Sequence, residues 1–141
     1  MKRTAVPEVF IGTDLVEVDR VRSSIEKSGD RFLDRIFTKT EQKYCRSKAN
    51  PDIHFAGRFA AKEACSKALG TGFSRGVYWR DMGVLNLASG KPTMELKGGA
   101  ARRLAKLVPA GMTAQIDITI TDEPPIAQAI VIISAVPAVT N

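Results

Sequence analysis

The chain has 141 residues, 44% hydrophobic and 26% charged. That describes one globular domain over residues 1–141 with enough length to bury a core, and excludes collagen-like, disordered and coiled-coil classes. With 21 Lys and Arg against 15 Asp and Glu the net charge is +6, which favours an acidic or phosphorylated partner; the basic residues are scattered and only one Trp and two Tyr could stack on bases, so nucleic acid is not expected.

Met1-Lys2-Arg3-Thr4 is basic but no apolar signal-like run follows it. Val9 to Thr13 is β-branched, ends near Gly12 and predicts a strand. Leu15, Val18, Val21 and Ile25 recur at helical spacing, up to Ser28-Gly29. Phe32, Leu33, Ile36 and Phe37 form a further short apolar face, and Thr38 to Glu41 opens a short helix through Arg46. After a break at Asn50-Pro51, Ile53 to Leu69 predicts the longest helix, with Gly70 just past its end. Val77 to Leu87 and Thr93 to Leu96 predict strands joined by Ser89-Gly90-Lys91-Pro92. Ala100 to Leu107 predicts a basic helix stopped by Pro109 and Gly111. Ile116 to Thr121 alternates with period two, Asp122 to Pro125 turns, and Ile126 to Val136 returns as a mostly buried strand. That last stretch is the longest apolar one, broken by Gln128 and Ser134, far below the roughly 20 residues of a membrane span. The pattern predicts an α+β fold, a single small domain with a largely antiparallel sheet packed on a long helix, soluble and cytoplasmic, without membrane contact.

The single histidine, His54, excludes HExxH and His/Cys zinc sites. A metal would be held mainly by oxygen and would be a hard ion such as Mg²⁺. Cys45 and Cys65 lack metal-ligand spacing and read as reduced, incidental thiols. Gly83 to Lys91 is not a P-loop, since its spacer is too long and Pro92 stands where Ser or Thr is needed; Gly70-Thr71-Gly72 with Gly76 is not a dinucleotide fingerprint.

Asp14, between the first strand and first helix, has two readings: an N-cap paired with Glu17 three residues on, or an exposed carboxylate at a strand end available to a metal. Glu63 and Lys67 fall inside the apolar stripe of the long helix, beside Phe59 and Ala64. They are either an i,i+4 pair at the stripe's edge or a site combining a carboxylate for metal with an ammonium for phosphate. Arg58 and Lys62 on the neighbouring face read as a solvated basic edge, or alternatively as phosphate contacts. Arg20, Lys27, Arg31 and Arg35 form a solvated face or a docking surface for an acidic helix.

Two segments, Ile11-Gly12-Thr13-Asp14-Leu15-Val16-Glu17-Val18 and Phe55-Ala56-Gly57-Arg58-Phe59-Ala60-Ala61-Lys62-Glu63-Ala64-Cys65-Ser66-Lys67-Ala68-Leu69-Gly70-Thr71-Gly72, with a weaker match at Gly90-Lys91-Pro92, closely resemble the small holo-[acyl-carrier-protein] synthase family of 4′-phosphopantetheinyl transferases. The resemblance covers nearly the whole chain. It implies Mg²⁺-dependent transfer of the phosphopantetheine arm of coenzyme A to a serine of apo acyl carrier protein, releasing adenosine 3′,5′-bisphosphate, in fatty acid biosynthesis. It implies Asp14 and Glu63 as metal ligands, and Asp14, Glu63 and Lys67 as the catalytic group, with Lys67 on the phosphate and leaving group. Arg58, Phe59, Lys67, Gly70, Thr71, Gly72, Gly90 and Pro92 would bind coenzyme A. Arg20 would sit on the helix that meets the acidic carrier, and the family's homotrimers place each site at a subunit boundary. Glu63 or a water on the metal would take the serine proton. Some relatives carry a Ser-His pair on the second-last strand; here Thr121-Asp122 stands there, followed by Pro124-Pro125. The rivals are a non-catalytic basic binding module and a transferase for carriers of secondary metabolism.

Overall fold

The computed structural model describes residues 8–138; the basic Met1–Thr4 segment lies outside them. Strand β1 runs over Glu8–Glu17, followed by helices α1 (Val18–Ser28), α2 (Asp30–Ile36), α3 (Lys39–Arg46) and α4 (Pro51–Ala68). A single 3₁₀ turn, Trp79–Asp81, leads into the hairpin β2 (Met82–Asn86) and β3 (Pro92–Leu96), then α5 (Gly98–Leu107), β4 (Met112–Glu123) and β5 (Ile126–Pro137). The main sheet has the order β1-β5-β4 and is antiparallel throughout; β2 and β3 form a separate antiparallel pair. The α+β fold, with an antiparallel sheet against one long helix, is as the sequence predicts.

Helix α4 is the backbone of the fold. Ala56, Ala60, Ala61, Ala64 and Ala68 are buried along it, and alanine loses no side-chain rotamer freedom on burial. Their small size lets the sheet approach closely. A Cβ on Gly12 of β1 would stand 1.8 Å from the carbonyl oxygen of Ala64, and one on Gly57 would meet Ile120 at 2.8 Å. At Gly12 the clash is with backbone and only glycine fits, whereas at Gly57 an added Cβ would push the Ile120 side chain aside. One core lies between α4 and the sheet, around Leu69, Met82, Val131 and Ile133. A second lies between α1 to α3 and the start of α4, around Val21, Leu33, Phe37 and Phe55.

Two elements differ from the sequence expectation. Strand β1 continues to Glu17, four residues past the predicted end, because its ladder with β5 runs on to Glu17 opposite Ile126. Leu15, predicted at the head of a helix, is therefore in a strand and exposed. Between Val77 and Asp81 the predicted strand gives way to the 3₁₀ turn, where the Asp81 carboxylate accepts the Tyr78 N–H at 3.1 Å; the strand itself begins at Met82.

Candidate functional site

Alternation along β1 decides where Asp14 points. Gly12, Asp14 and Val16 turn toward α4, while Val9, Ile11, Thr13 and Leu15 turn outward. Asp14 pairs with Ala129 in mid-strand. The N-cap of α1 is Glu17, with no side-chain cap, so the capping-box reading of Asp14 does not hold. The ladder to β5 outweighs the local helix pattern.

The contact of Gly12 with Ala64 brings Asp14 against the stripe of α4 that carries Phe59, Glu63 and Lys67 at successive i+4 positions. The Lys67 ammonium donates to Asp14 Oδ1 at 3.1 Å and to the Thr13 carbonyl at 3.0 Å. The Asp14 side chain is 10% exposed and that of Lys67 is 54% exposed. Glu63 is half-buried, and its pKa lies above the usual carboxylate range. Burial is the first cause, then the Asp14 charge and a hydrogen bond with Asp14; Lys67 and Arg20 act in the opposite sense. Two carboxyl groups forced together in this way are a natural seat for a cation.

Asp14 and Glu63 line one cavity of about 380 Å³, with Arg20, Val21, Phe32 and Phe59 among its other walls. Arg20 is its one basic lining residue, and Val21, Phe32 and Phe59 make an apolar flank. The donor set is two carboxylates from separate elements. That suits Mg²⁺, which takes one or two carboxylates and leaves positions for water and substrate phosphates. Among the described residues no group of three or more His, Cys, Asp or Glu could hold a metal, so a closed all-protein cage is not what this cavity offers.

The other predicted residues form two further groups. Gly70 and Gly72 follow α4 one turn beyond Lys67 with φ of 79° and 59°, a left-handed backbone that glycine adopts freely, and Thr71 Oγ1 donates to the Gly72 carbonyl at 2.8 Å. Arg58 lies five residues before Glu63, about 140° around the helix, and does not line the cavity. Its guanidinium stacks 3.9 Å from the centroid of Tyr44 and donates to Asn86 Oδ1 at 2.6 Å. Asn86 in turn donates to the Gly90 carbonyl at 3.1 Å and pairs with Pro92 across the hairpin, so Arg58, Gly90 and Pro92 share one neighbourhood. The Arg58 Nε is buried with no hydrogen-bond partner.

Arg58 and Lys62 are not a solvated edge: they are 4% and 0% exposed. Lys62 is held by Glu41, which also closes the capping box with Thr38. The Thr38–Glu41 cap was legible, but nothing in local sequence pairs Glu41 with a lysine 21 positions on. Asn86 and Tyr44 had no motif to announce them. Cys45 and Cys65 are buried and free, each thiol pushed up to about 12 by burial, as inert thiols should be. Asp122 meets the single histidine, with Oδ2 3.8 Å from His54 Nδ1.

The family model for the 4′-phosphopantetheinyl transferase superfamily matches residues 10–123. A holo-[acyl-carrier-protein] synthase of Rhodopseudomonas palustris (strain BisB5) is 58% identical over 137 residues, covering 94% of this chain and 99% of the relative. One from Brucella ovis is 57% identical over 129 residues, covering 92% and 96%. The crystal structure of the Neisseria meningitidis holo-[acyl-carrier-protein] synthase superposes with a TM-score of 0.75 at 33% identity, covering 88% of this chain and 96% of that one. The Helicobacter pylori enzyme in complex with coenzyme A gives 0.74 at 25% identity, covering 87% and 98%. The match of the family model over most of the chain, relatives 57–58% identical over nine tenths of it, and a fold shared with these solved enzymes assign the chain to the 4′-phosphopantetheinyl transferase superfamily, among the holo-[acyl-carrier-protein] synthases.

Proposed function

We propose that the chain moves the 4′-phosphopantetheine arm of coenzyme A onto the serine hydroxyl of apo acyl carrier protein and releases adenosine 3′,5′-bisphosphate. The observation that carries this is the meeting of Asp14 and Glu63 in one cavity that Arg20 also lines, with the Lys67 ammonium hydrogen-bonded to Asp14 at 3.1 Å. In the reaction the serine oxygen bonds to the phosphorus bearing the pantetheine arm. The P–O bond to the bisphosphate breaks with its electron pair, and the serine proton leaves to a base.

Asp14 and Glu63 would hold Mg²⁺. When bound, the ion supplies charge neutralisation and orientation at the diphosphate. Glu63 is the chain's own candidate for the serine proton, since its carboxyl lines the cavity where the reacting groups would meet. Lys67, on the exposed side of Asp14, offers an ammonium to the negative charge that grows on the leaving bisphosphate. Phe59 forms part of the cavity wall. Arg58, with Gly90 and Pro92 near it, would meet the nucleotide end of coenzyme A, and Gly70, Thr71 and Gly72 would shape the pocket beyond Lys67.

The carrier would approach along α1, where Arg20 borders the cavity. Homotrimer formation is supported by the outer face of the sheet, where Val9, Ile11, Leu15 and Ile130 are exposed together on β1 and β5. An apolar sheet face of this kind marks an interaction surface. No helix among the described residues is long and apolar enough to cross a membrane, and we assign the protein to the cytoplasm. Incubation with coenzyme A, Mg²⁺ and apo carrier, followed by intact mass of the carrier, tests the reading: the carrier gains the mass of the arm, and an unmodified carrier refutes it.

A further inference from the structure

Lys62 precedes Glu63 but points about 100° away around α4, into the interior where no substrate can reach it: both it and Glu41 are 0% exposed. The lysine is fully satisfied there. Its ammonium contacts Glu41 Oε1 and donates to the Ile36 carbonyl at 2.7 Å and the Trp79 carbonyl at 3.3 Å. Glu41 in turn accepts the Thr38 N–H on Oε1 and the Val84 N–H on Oε2, each at 2.8 Å. One buried ion pair therefore ties four segments to α4: the end of α2, the start of α3, the 3₁₀ turn and β2. A buried pair with a complete set of hydrogen bonds fixes geometry more than it adds stability.

The tied segments carry the walls of the candidate site. Phe32 on α2 lines the cavity and stacks on Phe59 at 6.4 Å. Trp79 packs on Phe59 at 4.8 Å and on Phe73 at 3.8 Å, and Phe73 follows Gly72 directly. Asn86, two residues beyond Val84 on β2, holds Arg58. Asp14 and Glu63 are set by a different contact, that of β1 with α4.

We propose that Glu41 and Lys62 are positioning residues for the transfer, locking the Phe32/Trp79 wall and the Asn86 wall to the helix that bears Glu63. The proposal rests on the function given above. Because the pair sets binding walls and not the metal pair, its removal acts on substrate binding. The near-isosteric, neutral double variant E41Q/K62M keeps the fold by circular dichroism. Its KM for coenzyme A and for apo carrier each rise about fivefold or more while kcat stays within about threefold, the pattern of lost uniform binding. The affinity for coenzyme A measured by calorimetry weakens by the same factor, and the emission of Trp79, the single tryptophan, shifts. A folded double variant with wild-type KM values and coenzyme A affinity overturns the proposal, as does a loss confined to kcat. If the double variant does not fold, Glu41→Gln alone carries the test, with a KM rise of about twofold or more expected and wild-type values overturning it. A wild-type protein that transfers nothing would instead refute the function itself, and the calorimetric affinity would still decide the role of the pair.

Discussion

Lys67 gives its ammonium to Asp14, 53 residues away in sequence, at 3.1 Å and to the Thr13 carbonyl at 3.0 Å, and not to Glu63, its neighbour one helical turn back. The helix pair that i,i+4 spacing suggests is thus replaced by a link between strand and helix. Glu63 is left facing Asp14, and that opposition is the proposed metal seat.

Removing either carboxylate would remove the proposed metal seat. Asp14→Asn and Glu63→Gln each lower kcat/KM for transfer by about 100-fold or more, with far-UV circular dichroism unchanged. Transfer within a few-fold of wild type in either variant would contradict the assignment of that residue.

The raised pKa of Glu63 makes a signed prediction without metal. The folded protein binds this proton more tightly than the unfolded chain. The contribution of Glu63 to stability is therefore fully present below its unfolded pKa and is lost as pH rises through its folded value. In EDTA at pH 8, Glu63→Gln melts at a higher temperature than wild type, and the gap closes toward pH 4. Added Mg²⁺ narrows the gap at pH 8 by stabilising the wild type only.

Lys67→Ala lowers kcat by about 100-fold and changes KM for coenzyme A by much less, because the ammonium acts on charge that develops in the transition state. Steady-state kinetics over both substrates separate the two effects; a change confined to KM would remove the role.

Gly12→Ala forces a methyl group into the Ala64 carbonyl. It costs about 3 kcal/mol in denaturant unfolding and, where the protein still folds, depresses transfer by displacing Asp14 from Glu63. Unchanged stability would mean that β1 and α4 are not held at this distance.

Much of this was readable in the chain. The segment around Asp14 and the run from Phe55 to Gly72 carried the family, and alternation or helical spacing located most of the elements. The extent of β1 was not readable, because its last four residues are held in a strand by β5, more than 100 positions away. The burial of Lys62 was missed for the same reason: a lysine looks solvated until Glu41 and two backbone carbonyls arrive from other elements. Long-range pairing decides both cases, and local sequence does not encode it.

The outer sheet face also has a simple test. Ile11→Lys, on a residue 63% exposed in the monomer, converts a trimer to a monomer in sedimentation analysis while secondary structure is retained. A wild-type protein that sediments as a monomer would contradict the trimer.

The most direct measurement is calorimetric titration of Mg²⁺ into the protein bound to coenzyme A, for wild type, Asp14→Asn and Glu63→Gln. One cation binds per active site in the wild type, and that binding is lost in each variant. Wild-type affinity for Mg²⁺ in both variants would contradict it.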